Sequence, residues 1–430
     1  MNLLKAFVNA FRVPDLRKKI LFTLVIIAVY RLGSHIPAPG IDVQAAQRFA
    51  SGAQTGVLQF INLFSGGALT QMAIFALGIM PYITSSIIMQ LLTVVIPKLE
   101  AWQKEGESGH KKITQWTRYL TVGLAIIQSA SLAFLFHNGS IQDAQGQPVD
   151  LIPNFSAGYV ALVTLSLTAG TALIMWLGEL ITQRGIGNGM SILIFSSIVS
   201  TLPTEGNLIL EQRGLGTFLT ILVIGLAIVV AIVIMEQGQR RIYVQYAKRV
   251  VGRRMTGGQS TYLPLKVNQA GVIPIIFASS VLYIPSLLQN AIQNETVQGI
   301  LDTLVDSRSL AYMLIYGTLV VFFAYFYTAI QFNPVDVADN MKKYGGFIPG
   351  IRPGRQTAEY LDRIMSRITL PGALFVAFIA LLPSIFLATQ DITQLPFGGT
   401  SILITVGVTL ETMKQIESQL TMRHYEGFLR

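Results

Sequence analysis

Ten apolar stretches, separated by polar loops, run along this chain at approximately 20–36, 73–96, 117–137, 158–180, 188–203, 215–235, 269–287, 311–331, 368–388 and 397–414. A membrane-spanning helix needs about 20 apolar residues, so ten of them would use roughly half the chain. The fifth and seventh stretches are the shortest. The pattern predicts an all-α polytopic membrane protein.

Two features interrupt it. Between the first and second stretches, residues 57–71 read VLQFINLFSGGALTQ, apolar but broken by Gly66-Gly67 before the segment could cross. Lipid cannot satisfy a broken backbone, so this segment is interfacial, re-entrant or packed against protein. The second feature is an echo. GIMPYITSS at 78–86 returns as GVIPIIFAS at 271–279, matching Gly78 to Gly271, Pro81 to Pro274, Ile83 to Ile276 and Ser86 to Ser279. The two copies lie in the second and seventh stretches, which would cross in opposite directions. An inverted repeat of five plus five helices produces this, with a site at the repeat interface near the midplane. Chance recurrence of Gly and Pro, both common in membrane helices, is the competing explanation.

The polar parts carry their own patterns. In 1–19, Leu3, Leu4, Phe7, Val8 and Phe11 fall at helical spacing, which suits a helix in the headgroup layer or a plain initiator tail. Loops 236–268 and 332–367 are long for connectors. Ile242, Val244 and Tyr246 alternate with Tyr243 and Gln245, and Gly257-Gly258 precedes Tyr262 and Leu263, which predicts a hairpin-like finger. The second loop holds Gly345-Gly346 and the stiff run Ile351-Arg352-Pro353-Gly354.

Composition agrees with the pattern: 52% hydrophobic and 12% charged residues leave too little polar surface to cover a soluble globule of 430 residues. Of the 31 Lys and Arg, all but Arg31, Arg48, Arg213 and Arg308 lie at the termini or in the even-numbered junctions. Lys and Arg stay on the cytoplasmic side during insertion, so both termini are expected there, in a cytoplasmic membrane. No cleavable signal is expected, because no small-residue cleavage site follows the first apolar run. Loops 236–268 and 332–367 hold more charge than topology requires. The surplus suits anionic lipid headgroups, or a docking surface for RNA or an acidic protein.

Several chemistries lack their residues. The chain has no cysteine, which excludes disulfides and thiolate chemistry. His35, His110, His137 and His424 share no metal-ligand spacing, and no phosphate-binding glycine loop is present, so neither a metal nor a cofactor is expected. No Asp, Glu, His or Lys falls mid-span, where ion-coupled transporters keep theirs. A passive, gated conduit driven by a partner fits better than an inverted-repeat secondary transporter of a small solute. A scaffold without a continuous pore is a further alternative.

From Arg17 to Gly427 the chain resembles the SecY/Sec61-alpha family of protein-conducting channels. The resemblance is carried by RLGSHIPAPGID at 31–42, LFSGGAL at 63–69, FALGIMPYI at 75–83, Gly106–Gly109, WLGELITQRGIGNG at 176–189, GQRRI at 238–242, PLKVNQAGVIP at 264–274, 347–354 and FGGTS at 397–401. It implies ten transmembrane helices in two inverted pseudo-symmetric five-helix halves around a central pore. The N-terminal half would be 20–203 and the C-terminal half 204–414, followed by a tail at 415–430. The protein would not itself be an enzyme. It would pass unfolded signal-bearing polypeptides and release apolar segments sideways into lipid.

By motif position, an aliphatic pore ring falls on Ile79, Ile83, Met190, Ile194, Ile276 and Ile404, where bulk would exclude water and ions. Met190 departs from the usual isoleucine. The broken segment becomes a re-entrant plug, with Phe60, Ile61, Leu63, Phe64, Ser65, Gly66, Gly67, Ala68 and Leu69 at its centre. Thr84, Gln90, Asn268 and Ile284 fall at lateral-gate positions, and a Gln90–Asn268 hydrogen bond across the closed gate is expected. Arg240, Arg241, Lys248, Arg249, Arg253, Arg254 and Arg352 become contacts for the ribosome or the motor ATPase SecA. The implied partners are SecE, SecG, SecA, the ribosome with its RNA as the one nucleic acid, preproteins, nascent membrane proteins and the bilayer.

Overall fold

In the computed structural model of the chain, the structure describes residues 11–42, 44–46, 62–137, 152, 156–246, 249–251, 254–256, 260–289, 298, 299, 301, 303, 304, 306, 309–389 and 399–426. Helices dominate. They are α1 (Pro14–Gly33), α2 (Met80–Val95), α3 (Pro97–Lys104), α4 (Glu107–His137), α5 (Ala157–Arg184), α6 (Gly189–Glu211), α7 (Gly214–Gln237), α8 (Ile273–Gln289), α9 (Leu310–Gln331), α10 (Pro334–Lys343), α11 (Arg355–Thr389) and α12 (Gly399–Glu426). Proline occupies the first turn of α1, α2, α3 and α10, where its missing N–H is no loss. Gly214, at φ 79°, ends the helical run between α6 and α7.

A helix occupies each of the ten apolar stretches. Among the described residues six are long and apolar enough to cross a membrane: α4, α5, α6, α7, the run 310–343 and α11 over Arg355–Leu382. A seventh arises if α2 and α3, bent by 100° at Ile96, count as one span. The N-terminal segment 1–10 lies outside the described residues.

The chain divides into two compact units, 1–220 with 283–306 and 404–430, and 221–282 with 307–403. In the first, α2 packs on α4, α4 on α5, and α1 on α5. Its core joins Leu132, Ala133 and Phe136 of α4 to Val163 and Leu167 of α5, and both to Leu69 of the broken segment and to Met72, Ala76 and Leu77 just after it. A smaller cluster of Leu16 and Ile20 from α1, Ile186, and Ile416 and Leu420 from α12, with Phe11 and Val13 alongside, closes the start of the chain.

In the second unit α9 packs along α11, and a small sheet sits on the end of α11. Strand β1 (Gln239–Tyr246) pairs antiparallel with β4 (Ser260–Lys266), with Ile242 opposite Leu263 and Val244 opposite Thr261. Two shorter strands between them, β2 (Arg249–Val251) and β3 (Arg254–Thr256), pair with each other. This is the finger that the alternation predicts. Ile242 and Val244 point inward while Arg241, Tyr243 and Gln245 point out. The third strand of the main sheet, β5 (Gly346–Phe347), comes from the other basic loop and pairs with Gln245 and Tyr246, so the two long loops form one structure.

Candidate functional site

Residues 62–79 form a buried, irregular segment that the helices of the first unit enclose. One helical turn over 62–65 ends where Gly66 and Gly67 adopt positive φ of 65° and 86°. At Gly66 a Cβ would lie 2.9 Å from the Cα of Ser197 on α6 and 2.9 Å from Nη1 of Arg31 on α1, so only glycine fits that turn. Phe64, Ser65, Ala68 and Leu69 are fully buried, and Phe75 stacks on Tyr30 at 5.8 Å.

The segment's backbone finds its partners in protein. Gly67 N donates to Asn62 O and Ala73 N to Ala68 O, while Ala38 N reaches Met72 O at 2.8 Å and Ile74 N reaches Ile36 O at 2.9 Å. Arg31 Nη1 donates to the Gly66 carbonyl at 2.8 Å. The described part of the segment is packed against protein. Phe60 and Ile61 lie outside the described residues.

At the end of this segment the chain turns at Gly78, φ 56°, and enters α2 with Pro81 as its second residue. The echo repeats the geometry: Gly271 has φ 60°, and Pro274 is the second residue of α8. Ile83 and Ile276, matched in sequence, are both buried. So are Ile79, Met190, Ile194 and Ile404. Ile79 caps α2 and Ile83 lies one turn further along it, and Met190 and Ile194 are likewise one turn apart on α6. That second pair owes its position to Asn188, whose Oδ1 accepts from Met190 N at 3.1 Å, and to Thr182, whose Oγ1 accepts from Gly189 N. Five of the six ring positions belong to the first unit and Ile276 to the second.

At the gate positions, the Thr84 hydroxyl donates back to Met80 O, and Gln90 is half-buried on α2. Asn268 is buried, and its amide donates to Glu236 Oε1 at 2.6 Å and to Gly271 O at 3.1 Å. Glu236, at the end of α7, is a partner that the sequence did not reveal. Ile284 lies on α8, its side chain outside the described residues.

Arg240 and Arg241 are exposed on β1, beside the cross-strand pair Tyr243–Tyr262, whose rings are 5.6 Å apart. Arg352 is exposed on the turn after β5. Arg249 and Arg254 lie on β2 and β3, and Lys248 and Arg253 lie outside the described residues. Sequence reading also missed the clamp between α4 and α5. There Arg118 Nε and Nη2 grip the two Glu179 carboxylate oxygens at 2.7 and 2.6 Å, and Gln115 accepts from Nη1. Glu179 stands in the 176–189 motif and Arg118 in no motif, 61 residues separate them, and no local spacing signals the pair.

A family model for SecY matches residues 73–413. The chain is 56% identical over 437 residues to a protein translocase subunit SecY of Streptomyces scabiei, with all of both chains covered. It is 53% identical over 445 residues to the protein of that name in Mycobacterium tuberculosis, again with complete coverage. Among solved structures, it resembles a protein-conducting channel with a TM-score of 0.63 at 18% identity, over 94% of this chain and 92% of that one. Sec61 in a canine ribosome-channel complex from the endoplasmic reticulum gives 0.60 at 18% identity, with the same coverage. At such identity these structures speak to the fold.

Proposed function

The chain belongs to the SecY family, and on that premise we propose that it is the channel subunit of a bacterial Sec translocase. It conducts unfolded, signal-bearing polypeptides across the cytoplasmic membrane and lets apolar segments leave sideways into lipid. It is not itself an enzyme, and the driving energy comes from its partners. The observation that carries this reading is the 56% identity with a SecY subunit over all of both chains.

In this reading the chain has ten spans in two inverted halves, with both termini cytoplasmic. The segment around 62–71 is the plug. Its irregular backbone, with Phe64, Ser65, Ala68 and Leu69 buried and no continuous helix through it, supports a part that can leave as a body. Ile79, Ile83, Met190, Ile194, Ile276 and Ile404 form the ring, where apolar bulk excludes water without binding a passing chain. Thr84, Gln90, Asn268 and Ile284 line the lateral gate. The sheet of β1, β4 and β5 is the docking face for SecA and the ribosome, because it unites the two most basic loops and leaves Arg240, Arg241 and Arg352 exposed. SecE and SecG complete the complex.

The test is reconstitution. The chain is co-expressed with candidate SecE- and SecG-type subunits, purified in mild detergent and placed in vesicles with SecA, ATP and a preprotein. Protease-protected preprotein that requires this chain is the expected result. Absence of protection when all components are present and SecA is bound would refute the reading.

A further inference from the structure

We propose that Tyr30 and Arg31, adjacent on the last turn of α1, latch the plug segment shut by binding two consecutive carbonyl groups at its glycine turn. The proposal rests on the reading of this segment as the plug. The Tyr30 hydroxyl lies 3.3 Å from the Ser65 carbonyl and 2.6 Å from the Ser197 hydroxyl on α6, and Arg31 Nη1 lies 2.8 Å from the Gly66 carbonyl. Tyr30 and Ser65 are buried. The Ser197 hydroxyl also reaches the Leu193 carbonyl at 3.0 Å, so its one proton is shared between two acceptors; when it goes to Tyr30, the tyrosine proton is left for the Ser65 carbonyl.

These contacts sit where the segment has no secondary structure to hold it. Gly66 and Gly67, in left-handed conformation, end the helical turn over 62–65; there the Gly66 carbonyl takes the Arg31 guanidinium, and the Ser65 carbonyl takes the Tyr30 hydroxyl beside a long 3.4 Å bond from Ala68 N. The latch is also compact. A Cβ at Gly66 would strike both Arg31 Nη1 and Ser197 Cα, so the same glycine that makes the turn admits the donors.

Hydrogen bonds suit this task better than more apolar packing. Each is worth only about 0.5–1.5 kcal/mol net, or 1.5–3 with a charged donor, and is lost within a small displacement. The segment is thus held in one register at rest and released once a polypeptide or signal helix moves α1 or α6. Arg31 also gains a reason to lie in an apolar stretch, where an arginine is otherwise unfavourable.

The chain has no cysteine, so Ser65→Cys gives it a single thiol in the latched segment. In the complex reconstituted with its partner subunits, the rate of alkylation by a membrane-impermeant maleimide reports release of the segment. Tyr30→Phe keeps the ring on Phe75 and removes only the hydroxyl; we expect alkylation about fivefold faster. Arg31→Met should give about tenfold or more. Ser197→Ala should give less than Tyr30→Phe, because the tyrosine can still donate to Ser65.

If all three variants react at the parent rate, yet a preprotein trapped in transit accelerates alkylation, the segment moves but is not latched here, and the proposal is overturned. If the trapped preprotein leaves the thiol as protected as before, the plug reading itself fails and the latch with it.

Discussion

Gly78→Ala and Gly271→Ala make the same substitution at the matched glycines of the two echoed motifs, and the structure predicts different outcomes. Both positions have positive φ, 56° and 60°, where an alanine costs about 1–2 kcal/mol relative to its preferred conformation. Their surroundings differ. A Cβ at Gly78 would lie 2.9 Å from Ser65 Cα and 3.0 Å from the Phe64 carbonyl oxygen, backbone atoms that cannot rotate away. At Gly271 nothing lies within 4 Å.

Overpacking of that kind costs about 1–3 kcal/mol. Gly78→Ala should therefore cost about 2–5 kcal/mol and Gly271→Ala about 1–2. The cheapest relief at Gly78 is for 64–65 to back away from α2, so under the proposed plug reading the steric share appears as an open channel. At 1.4 kcal/mol per tenfold, that share raises the released population about 5- to 150-fold over Gly271→Ala. Resting ion conductance in planar bilayers measures it, and thermal unfolding followed by the fluorescence of Trp102, Trp116 and Trp176 measures the total. Equal conductance and equal melting in the two variants would refute the close approach of 64–65 to Gly78, and with it the leak argument.

Three further outcomes follow from other parts of the molecule. A double-mutant cycle on Arg118→Met and Glu179→Gln should give a coupling of about 1 kcal/mol in thermal stability, modest because the arginine is partly exposed; additive effects would mean that the clamp between α4 and α5 contributes nothing. Leu265→Ala, in the small core under the sheet, should cost about 2–4 kcal/mol locally and speed tryptic cleavage within 239–266 while α4 and α5 resist; an unchanged digest would count against that core. Arg352→Glu should cripple SecA-driven translocation in vesicles without reducing insertion of the protein itself, because the arginine stands exposed on a Pro- and Gly-stiffened turn; normal SecA-stimulated transport would leave it a topology charge only.

What the sequence made legible was whatever has a period or a break. Apolar runs located the helices, alternation at Ile242, Val244 and Tyr246 located the β1–β4 hairpin, and Gly66-Gly67 located the irregular segment. What it hid were partnerships between distant residues. Arg31 stood out as a charge in an apolar stretch, yet nothing local pointed to the Gly66 carbonyl. Asn268 was expected at a gate position from the resemblance, while its partner Glu236, 32 residues earlier, gave no sign of the pairing. Two residues of β5 carry no periodicity, so its union with β1 could not be read either.

The lengths of helices were also hidden, because hydropathy registers only the apolar window. Stretch 368–388 is one span's worth of apolar residues, but α11 begins at Arg355 and has 35 residues, about 52 Å at 1.5 Å per residue against a hydrocarbon core of about 30 Å. The added turns are not idle. Leu361, Ile364 and Met365 lie in the same core as Ile242, Val244 and Leu265 of the sheet, so the basic surface is built on the protruding end of a candidate span. Further along, Gly372 lets α11 pass so close to the chain leaving β4 that a Cβ would lie 2.5 Å from the Val267 carbonyl. Asn268 is the next residue. The sheet and Asn268 are thus joined twice, through the packing of α11 against the chain leaving β4 and through the β4–α8 connection itself.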